Sequence, residues 1–293
     1  MSNYHTSVLL QEAIDGLQVQ EGKQYVDATL GGGGHTRAIL GQGGVVLGVD
    51  QDHDAVEYVK EHLKLEISNL KLTIAQGNFS HIAEIAKQNG FEHVAGILFD
   101  LGVSSHQFAE SERGFSFSQE APLDMRMDTS LSVTAKDLIH GLNKGELMQL
   151  LTKYGEEPFA KRIAEKIVEK RLERPIETTT ALASIVASVY PKGDHKVHPA
   201  TKVFQALRIA VNDELFSLEA ALPQALDIVG SGGRIAVISF HSLEDRIVKH
   251  AFLEWEEKGL GKIITKKPIE PSEEEIEKNR KSRSSKLRIF EKL

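Results

Sequence analysis

The residues best suited to chemistry begin with four consecutive glycines at positions 31–34, which follow an apolar run. Glycine adopts positive φ angles and lets a ligand approach the bare backbone. A strand, a glycine turn and a helix in that order therefore predict a cradle for a nucleotide-type cofactor. The alternative is a tight turn that binds nothing. Four consecutive glycines, however, lose much conformational entropy on folding and add no side-chain packing, which favours ligand binding.

Carboxylates end three of the predicted strands, at Asp27, Asp50 and Asp100. An acid at the tip of the second strand, about 20 residues after a glycine turn, is where dinucleotide and nucleoside folds bind ribose hydroxyls. Buried strand ends rarely carry unpaired carboxylates, so acids repeated along one rim indicate a polar site there. Asp50 and Asp100 are therefore candidate ligand-binding residues.

Some side chains near this rim have competing interpretations. Asp50 could cap the helix that follows it, although Asp52 and Asp54 are better placed to do so. These acids and His53 do not predict a metal site, because a helix N-terminus attracts carboxylates anyway and no partner histidine stands at ligand spacing. Phe79, in the loop after the third strand, could lie against a flat ligand ring or belong to the core.

Composition limits the function classes. The net charge of −7 argues against a protein that coats nucleic acid nonspecifically, because such proteins gain affinity by releasing counterions from many phosphates. Cysteine is absent, which excludes disulfides and a cysteine nucleophile. Since no run of about 18 apolar residues exists and residues 1–6 lack signal-peptide features, we expect a cytoplasmic protein that does not bind membranes.

A basic stretch near the C-terminus is either a contact surface or a solvated loop. Its cations are Lys278, Arg280, Lys281, Arg283, Lys286 and Arg288.

Helices alternate with buried apolar strands along most of the chain, which predicts a doubly wound α/β sheet of seven strands. The last two strands are expected at 262–267 and 286–292, as an antiparallel edge. A helix is expected after Pro223, and Ser242 is expected to cap the last helix.

Strand-like runs are absent from the stretch at 108–206, where helical patterns replace them. These helices are predicted at 143–155, 158–171 and 178–190, with another at 201–215. We therefore expect a discontinuous α/β domain at 1–107 and 207–293 and an all-α domain inserted at 108–206.

Two cofactor classes compete for the glycine turn. A dehydrogenase would need Gly-x-Gly-x-x-Gly, yet counting from Gly31 and Gly33 puts Thr36 at the last position. An S-adenosylmethionine methyltransferase needs only a glycine turn for the amino-acid end, an acid for the ribose and a fourth-strand acid near the transfer site. All three features of the methyltransferase pattern are present in the sequence.

Ordered motifs along nearly the whole chain resemble the RsmH (MraW) family of bacterial ribosomal RNA small-subunit methyltransferases. They are His5 to Leu10, Gly31 to His35, Asp100 to Ser105, Arg113 to Phe117, Pro122 to Met127, His198 to Lys202, Ser239 to Arg246 and Arg283 to Arg288. The second position of the glycine loop is often larger in the family and is Gly32 here.

This resemblance implies a class I S-adenosylmethionine-dependent fold and methyl transfer to the exocyclic N4 of one cytidine in the decoding region of 16S rRNA. It also implies rRNA, within the 30S subunit, as partner; a monomer and a homodimer are both compatible with the sequence. The cofactor contacts it implies are Gly33, Gly34, His35, Asp50, Phe79, Asp100 and Gln107.

Cytosine N4 is weakly nucleophilic because its lone pair is conjugated with the ring, so the enzyme must align the amine and accept its N–H hydrogens. Asp100 is the candidate for this catalytic role. Candidate substrate contacts, for stacking on the base or holding phosphates, are Ser104, Arg113, Phe115, Phe117, Arg126, His241 and Arg246. Structural roles stay open for these aromatic and arginine side chains, and an assembly factor that binds cofactor without turnover is the non-enzymatic alternative.

Overall fold

The structure is a computed structural model that describes residues 7–191, 193 and 197–293. His5 and Thr6, which open the first family motif, lie outside these described residues. Contacts along the chain form two compact units. The first unit comprises the chain up to Ser104 together with Leu215–Leu293, and the second comprises Ser105–Glu214. The boundaries predicted from the sequence lie between residues 107 and 108 and between residues 206 and 207.

The first unit contains one sheet of seven strands in the order β3-β2-β1-β4-β5-β7-β6. The strands are β1 Gln24–Asp27, β2 Val45–Asp50, β3 Leu72–Gln76, β4 Val94–Asp100, β5 Val229–Ser239, β6 Gly261–Ile263 and β7 Lys286–Lys292. Strands β1 to β5 pair in parallel, whereas β7 runs antiparallel to both β5 and β6. The predicted sheet of seven strands with an antiparallel edge is confirmed.

Helices in the first unit cover the sheet or follow its strands. They are α1 Leu10–Leu17, α2 Gly34–Gly41, α3 His53–His62, α4 Lys64–Ser68, α5 Ile82–Gln88, α12 Glu214–Ile228, which begins at the last residue of the second unit, α13 Ser242–Glu257 and α14 Glu273–Lys278. Short 3₁₀ turns stand at Phe79–His81 and Arg280–Ser284.

Alternate residues of the strands enter two separate hydrophobic clusters. Val26 and Phe99 belong to one cluster, while their chain neighbours Tyr25 and Leu98 belong to the other. Because successive side chains of a strand point to opposite faces, the sheet is buried on both sides. Both faces being covered explains why the parallel strands read as continuous apolar runs in the sequence.

The described part of the second unit consists of helices and one isolated β-bridge, between Pro122 and Thr178. Its helices are α6 Ser105–Ala109, α7 Ala135–Gly141, α8 Lys144–Gly155, α9 Ala160–Glu173, α10 Thr179–Ala187 and α11 Thr201–Asn212. Asn143 and Thr178 cap α8 and α10 with side-chain oxygens, as their residue types favour.

Two predicted helix starts are wrong. Pro223 lies inside α12 instead of preceding a helix, since the helix begins nine residues earlier and buries Leu218 and Leu222 in the core, which offsets the cost of a mid-helix proline. The N-cap of α13 is His241 and not Ser242. His241 Nδ1 accepts from the backbone N–H of Glu244 at 3.3 Å, and the Glu244 carboxylate accepts in return from His241 N–H.

Candidate cofactor site

The glycine turn connects β1 to α2 at the carboxyl edge of the sheet. Gly31 and Gly33 have φ angles of 49° and 74°, which side chains with a Cβ rarely adopt. Gly34 is required for a different reason: a Cβ built on it would stand 1.9 Å from the hydroxyl oxygen of Ser7. The turn is therefore held close to the N-terminal segment, and Gly31 and Gly32 within it are partly exposed.

Asp50 fixes the turn from the tip of β2. Its Oδ2 accepts from the Gly31 N–H at 2.8 Å and its Oδ1 from the Asp52 N–H at 2.9 Å. Burial raises the pKa of Asp50 to about 6, against these hydrogen bonds, which lower it. Asp52 supplies the cap of α3, as expected, by accepting from the Asp54 N–H. Each Asp50 oxygen has a second lone pair, so it can still accept from a ligand hydroxyl.

His35, in the first turn of α2, joins the N-terminal segment to β4. Its Nε2 lies 3.1 Å from the carbonyl oxygen of Val8, and its Nδ1 lies 3.6 Å from Asp100 Oδ2. A carbonyl can only accept, so Nε2 carries a proton. Burial lowers the pKa of His35 to about 4, which leaves the ring neutral near pH 7 with the Nδ1 lone pair facing Asp100.

Asp100 is the most strongly perturbed acid of this edge. Its backbone N–H donates to the Thr29 hydroxyl at 2.6 Å, whereas its Oδ1 is buried without a hydrogen-bond partner among the described residues. Burial, followed by the negative charges of Asp27 and Glu244, raises the pKa of Asp100 well above its ordinary value. A buried hydrogen-bond acceptor without a donor destabilises the folded protein unless a ligand donates a hydrogen bond to it.

Asp27 lies beneath the turn and is 1% exposed. It accepts from the Thr36 hydroxyl at 2.7 Å and from the Thr29 N–H at 3.3 Å. Burial raises its pKa to about 6, against those hydrogen bonds. The predicted rim of three strand-end acids is thus present, with Asp27 as the buried member that supports the turn.

Phe79 begins the 3₁₀ turn that follows β3. Its ring meets Phe99 edge-on at 5.7 Å and is only partly buried. Gln224 on α12 fixes this turn by donating to the Ser80 carbonyl at 2.6 Å. The ring therefore packs partly on the core and keeps an exposed face, and its contact with a ligand ring stays a prediction.

His241 and Arg246, also in the first unit, belong to the start of α13. The His241 ring is 9% exposed, and its Nε2 lies 3.1 Å from Glu244 Oε1. Capping the helix accounts for its present contacts, and Arg246 is exposed on the first turns of the helix. Ser104 is half-buried beyond the end of β4.

The remaining predicted site residues lie in the second unit, where several have structural contacts. Gln107 and Phe115 are buried. Arg113 is buried and donates to the carbonyls of Arg126 and Met127. These contacts favour the structural interpretation that the sequence left open for Arg113.

Two more candidates of the second unit have partners within it. Arg126 forms a bidentate pair with Asp124, at 2.8 and 2.7 Å. Phe117 stacks on His198 with ring centres 4.5 Å apart and meets Phe204 edge-on. One face of the half-buried Phe117 ring is therefore covered by His198, and the stacking on a base that the sequence predicted for Phe117 stays a prediction.

Sequence reasoning did not single out several residues that support the site. Val8 orients His35, and the hydroxyls of Thr29 and Thr36 hold Asp100 and Asp27. Their only signal was proximity in sequence to a glycine turn or a recognised motif. Ser7 lies against Gly34 but had no distinguishing feature beyond its place in the first motif.

A parallel sheet extended by an antiparallel β7, with a glycine turn after β1 and acids at the ends of β2 and β4, defines a class I S-adenosylmethionine-dependent methyltransferase fold. The chain belongs to the MraW methylase family, whose model matches residues 2–293. The resemblance predicted from the motifs is confirmed, and the cofactor of the protein is S-adenosylmethionine.

A relative from a bacterium agrees with the family assignment. A protein from Brevibacillus brevis named "Ribosomal RNA small subunit methyltransferase H" is 42% identical over 313 aligned residues, covering 100% of this chain and 99% of the relative. Among solved structures, an rRNA methylase from Streptococcus thermophilus aligns with 11% identity over 98% of both chains at a TM-score of 0.48. A SAM-dependent O-methyltransferase from Thermotoga maritima aligns with 9% identity over 97% of this chain and 64% of that chain, at a TM-score of 0.41.

The residues at this edge fit such a cofactor. Gly31 and Gly32 of the turn are partly exposed, Asp50 offers lone pairs for hydroxyls, and Asp100 Oδ1 is a buried acceptor without a partner in the described chain. Phe79 adds a partly exposed ring. All four features belong to the first unit.

Among the described residues, no helix is long and apolar enough to cross a membrane.

Proposed function

We propose that the protein transfers a methyl group from S-adenosylmethionine to the exocyclic N4 of the cytidine at position 1402 of 16S rRNA, within the small ribosomal subunit. Membership of the MraW methylase family and the name of the 42% identical relative support rRNA as substrate. The observation that carries the N4 assignment is the buried, open Oδ1 of Asp100 at the end of β4.

Methylation of an exocyclic amine depends more on a hydrogen-bond acceptor for the amine N–H than on a strong base. S-adenosylmethionine, when bound, supplies an electrophilic methyl group. The N4 proton becomes acidic only as the nitrogen is methylated, so the enzyme must align the amine and accept its N–H until that moment. Asp100 Oδ1 offers one such acceptor, and neighbouring backbone carbonyls offer others.

The protonation states at this edge are compatible with that role. With neutral His35 presenting its Nδ1 lone pair, a protonated Asp100 can direct its O–H from Oδ2 toward Nδ1 and keep Oδ1 as a carbonyl-type acceptor. The raised pKa of Asp100 favours this form. In it, Asp100 orients the amine by accepting its N–H and does not act as a strong base. The transfer leaves S-adenosylhomocysteine, and N4 loses one proton, strongly acidic at that point, to water.

RNA recognition is assigned to the second unit. Lys166 and Lys170 of its helix α9 are partly exposed. With Arg174 and two hydroxyl-bearing residues of α10, Thr180 and Ser184, they line a groove of about 460 Å³. Lysine, arginine and hydroxyl groups are common partners of RNA phosphates. Glu169 and Glu173 pair with the two lysines, so the attraction would be local and sensitive to salt.

The test uses small subunits and free 16S rRNA that both lack the modification, each incubated with the protein and S-adenosylmethionine labelled in its methyl group. After digestion to nucleosides, N4-methylcytidine should carry the label. Label in another nucleoside would contradict the N4 assignment. An unlabelled RNA with intact cofactor binding would instead indicate an assembly factor.

A further inference from the structure

The N-terminal segment Ser7–Leu9 lies against the cofactor edge of the first unit. The Val8 carbonyl accepts from His35 Nε2 at 3.1 Å, and the Ser7 hydroxyl occupies the space where a Cβ on Gly34 would stand. Leu9 is fully buried and has a φ angle of 49°. The conformation of this segment therefore decides how the His35 ring is held.

A residue far along the chain holds this segment. Glu275, on α14, accepts from the Leu9 N–H through its Oε1 at 2.8 Å, across 266 positions of sequence. Leu9 is the N-cap of α1 and has no side-chain cap of its own in the structure. Glu275 thus provides an acceptor at a helix start where a carboxylate is also favoured by the helix dipole.

Helix α14 is itself fixed at the same edge of the sheet. Ser272 caps it by accepting from the Glu275 N–H at 3.2 Å. Just before it, Ile269 exchanges two backbone hydrogen bonds of 2.9 Å with Leu287 of β7. Leu287 pairs with Ile238, which is also the partner of Asp100 in β4, so Glu275 is anchored near the strand ends that form the site.

We infer that Glu275 is a positioning residue for the cofactor site. It acts through Leu9 and Val8: by fixing the segment it presents the Val8 carbonyl to His35, which selects the ring tautomer with the proton on Nε2 and turns Nδ1 toward Asp100. Without Glu275 the Leu9 N–H loses its acceptor and the segment is free to shift away from His35 and Gly34. Glu275 has this effect without contacting the cofactor.

The test compares three variants of the full-length protein. Glu275→Ala removes the acceptor, Glu275→Gln keeps one amide oxygen at the same reach, and Glu274→Ala is the matched control. Glu274 is the neighbouring acid of α14, pairs with Lys278 and has a 77% exposed side chain. Affinity for S-adenosylmethionine is measured by titration calorimetry without RNA, and the ¹⁵N shifts of the His35 ring report its tautomer.

Glu275→Ala should bind S-adenosylmethionine about tenfold more weakly, as expected when a hydrogen bond to a charged acceptor is lost one step from a site. The His35 nitrogen shifts should move toward a mixture of tautomers. Glu275→Gln should restore both readouts to near wild type, and Glu274→Ala should change neither. Because RNA is absent, the result does not depend on the rRNA assignment.

A folded Glu275→Ala protein with wild-type affinity and an unchanged His35 tautomer would overturn the inference. A lower melting temperature alone, with affinity and tautomer intact, would also overturn it, since it would show a purely structural role. If Glu275→Ala does not fold, Glu275→Asp replaces it: the shorter side chain keeps the charge but not the reach. An Asp variant with unaltered His35 shifts would count against the inference.

Discussion

The Nδ1 atom of His35 lies 3.6 Å from the Oδ2 atom of Asp100, where the first turn of α2 meets the end of β4. Burial lowers the pKa of His35 to about 4 and raises the pKa of Asp100 well above its usual range. Both changes have burial as their main cause, and both favour the neutral form of the group. A neutral pair leaves Asp100 Oδ1 as an acceptor whose role can be tested by substitution.

Asp100→Ala should lower methyl-transfer turnover about 100-fold at saturating cofactor, because it removes the acceptor that orients the amine. Asp100→Asn should lose about tenfold or less, since an amide resembles the protonated acid: its NH₂ can face His35 Nδ1 and its oxygen can accept. Single-turnover assays on unmodified small subunits measure both. Full turnover by Asp100→Ala would exclude the orienting role, and equal losses in both variants would show that the ionised carboxylate is required.

A pH-dependent stability is expected from Asp27. Its pKa of about 6 exceeds the ordinary value of 3.8, so the folded protein retains a proton that the unfolded chain releases between these values. Stability should therefore fall as pH rises from about 4 to 6, by about 3 kcal/mol at most from this group, and then level off. Burial of the carboxyl is the cause.

The check is equilibrium urea unfolding of wild type and Asp27→Asn from pH 4 to 8. Asn resembles the protonated acid, so the variant should gain stability relative to wild type as pH rises. Asp50 and Asp100, whose pKa values are also raised, change stability in the same direction and His35 in the opposite one, and all three are present in both proteins. The Asp27 charge helps to raise the pKa of Asp50 and Asp100, so its removal adds a smaller change of the same sign to the difference. A stability difference that does not vary with pH would contradict the prediction.

Much of this edge could be predicted from the sequence because its signals are local. Strands β2 and β4 begin and end where their apolar runs predict, and parallel pairing then brings Asp50 and Asp100 to one rim. The glycine turn between β1 and α2 lies where the four consecutive glycines predict it.

Other features depend on contacts between distant parts of the chain, which no local pattern encodes. The Glu275 carboxylate meets the Leu9 N–H because β7, inserted between β5 and β6, binds Ile269 just before α14 through backbone hydrogen bonds of Leu287. The basic stretch at the C-terminus is a similar case. Its Arg288 is buried and paired with Asp245 at 2.7 Å, whereas Arg280 and Arg283 are exposed, so the stretch is not a uniform cationic surface.

Gly34→Ala should weaken S-adenosylmethionine binding about tenfold, because the new Cβ would stand 1.9 Å from the Ser7 hydroxyl and displace the N-terminal segment. Removing that hydroxyl with Ser7→Gly should recover most of the loss. Gly41→Ala is the control in the same helix: a Cβ there meets nothing within 4 Å, so it should raise stability by about 0.5 to 1 kcal/mol. Calorimetric titration and thermal unfolding give both quantities; additive effects of the Gly34 and Ser7 changes would contradict the proposed clash.

Asn212 should be essential to the loop that carries Arg126 in the second unit. Its side chain is buried, accepts from the Met127 N–H at 2.7 Å and donates to the Met125 carbonyl at 2.7 Å, while Met125 itself has a φ angle of 64°. Asn212→Ala would leave both backbone groups unsatisfied and should lower the free energy of unfolding by about 2 to 4 kcal/mol.

Asn212→Asp distinguishes the two hydrogen bonds. A carboxylate can accept from Met127 but cannot donate to the Met125 carbonyl, so it should be no more stable than the alanine variant near neutral pH. Gln119→Ala, at an exposed position of the same unit, should stay within about 0.5 kcal/mol of wild type. Urea unfolding together with hydrogen exchange of the Met127 amide measures the effect. Wild-type protection of that amide in Asn212→Ala would mean that the loop keeps its conformation by other contacts.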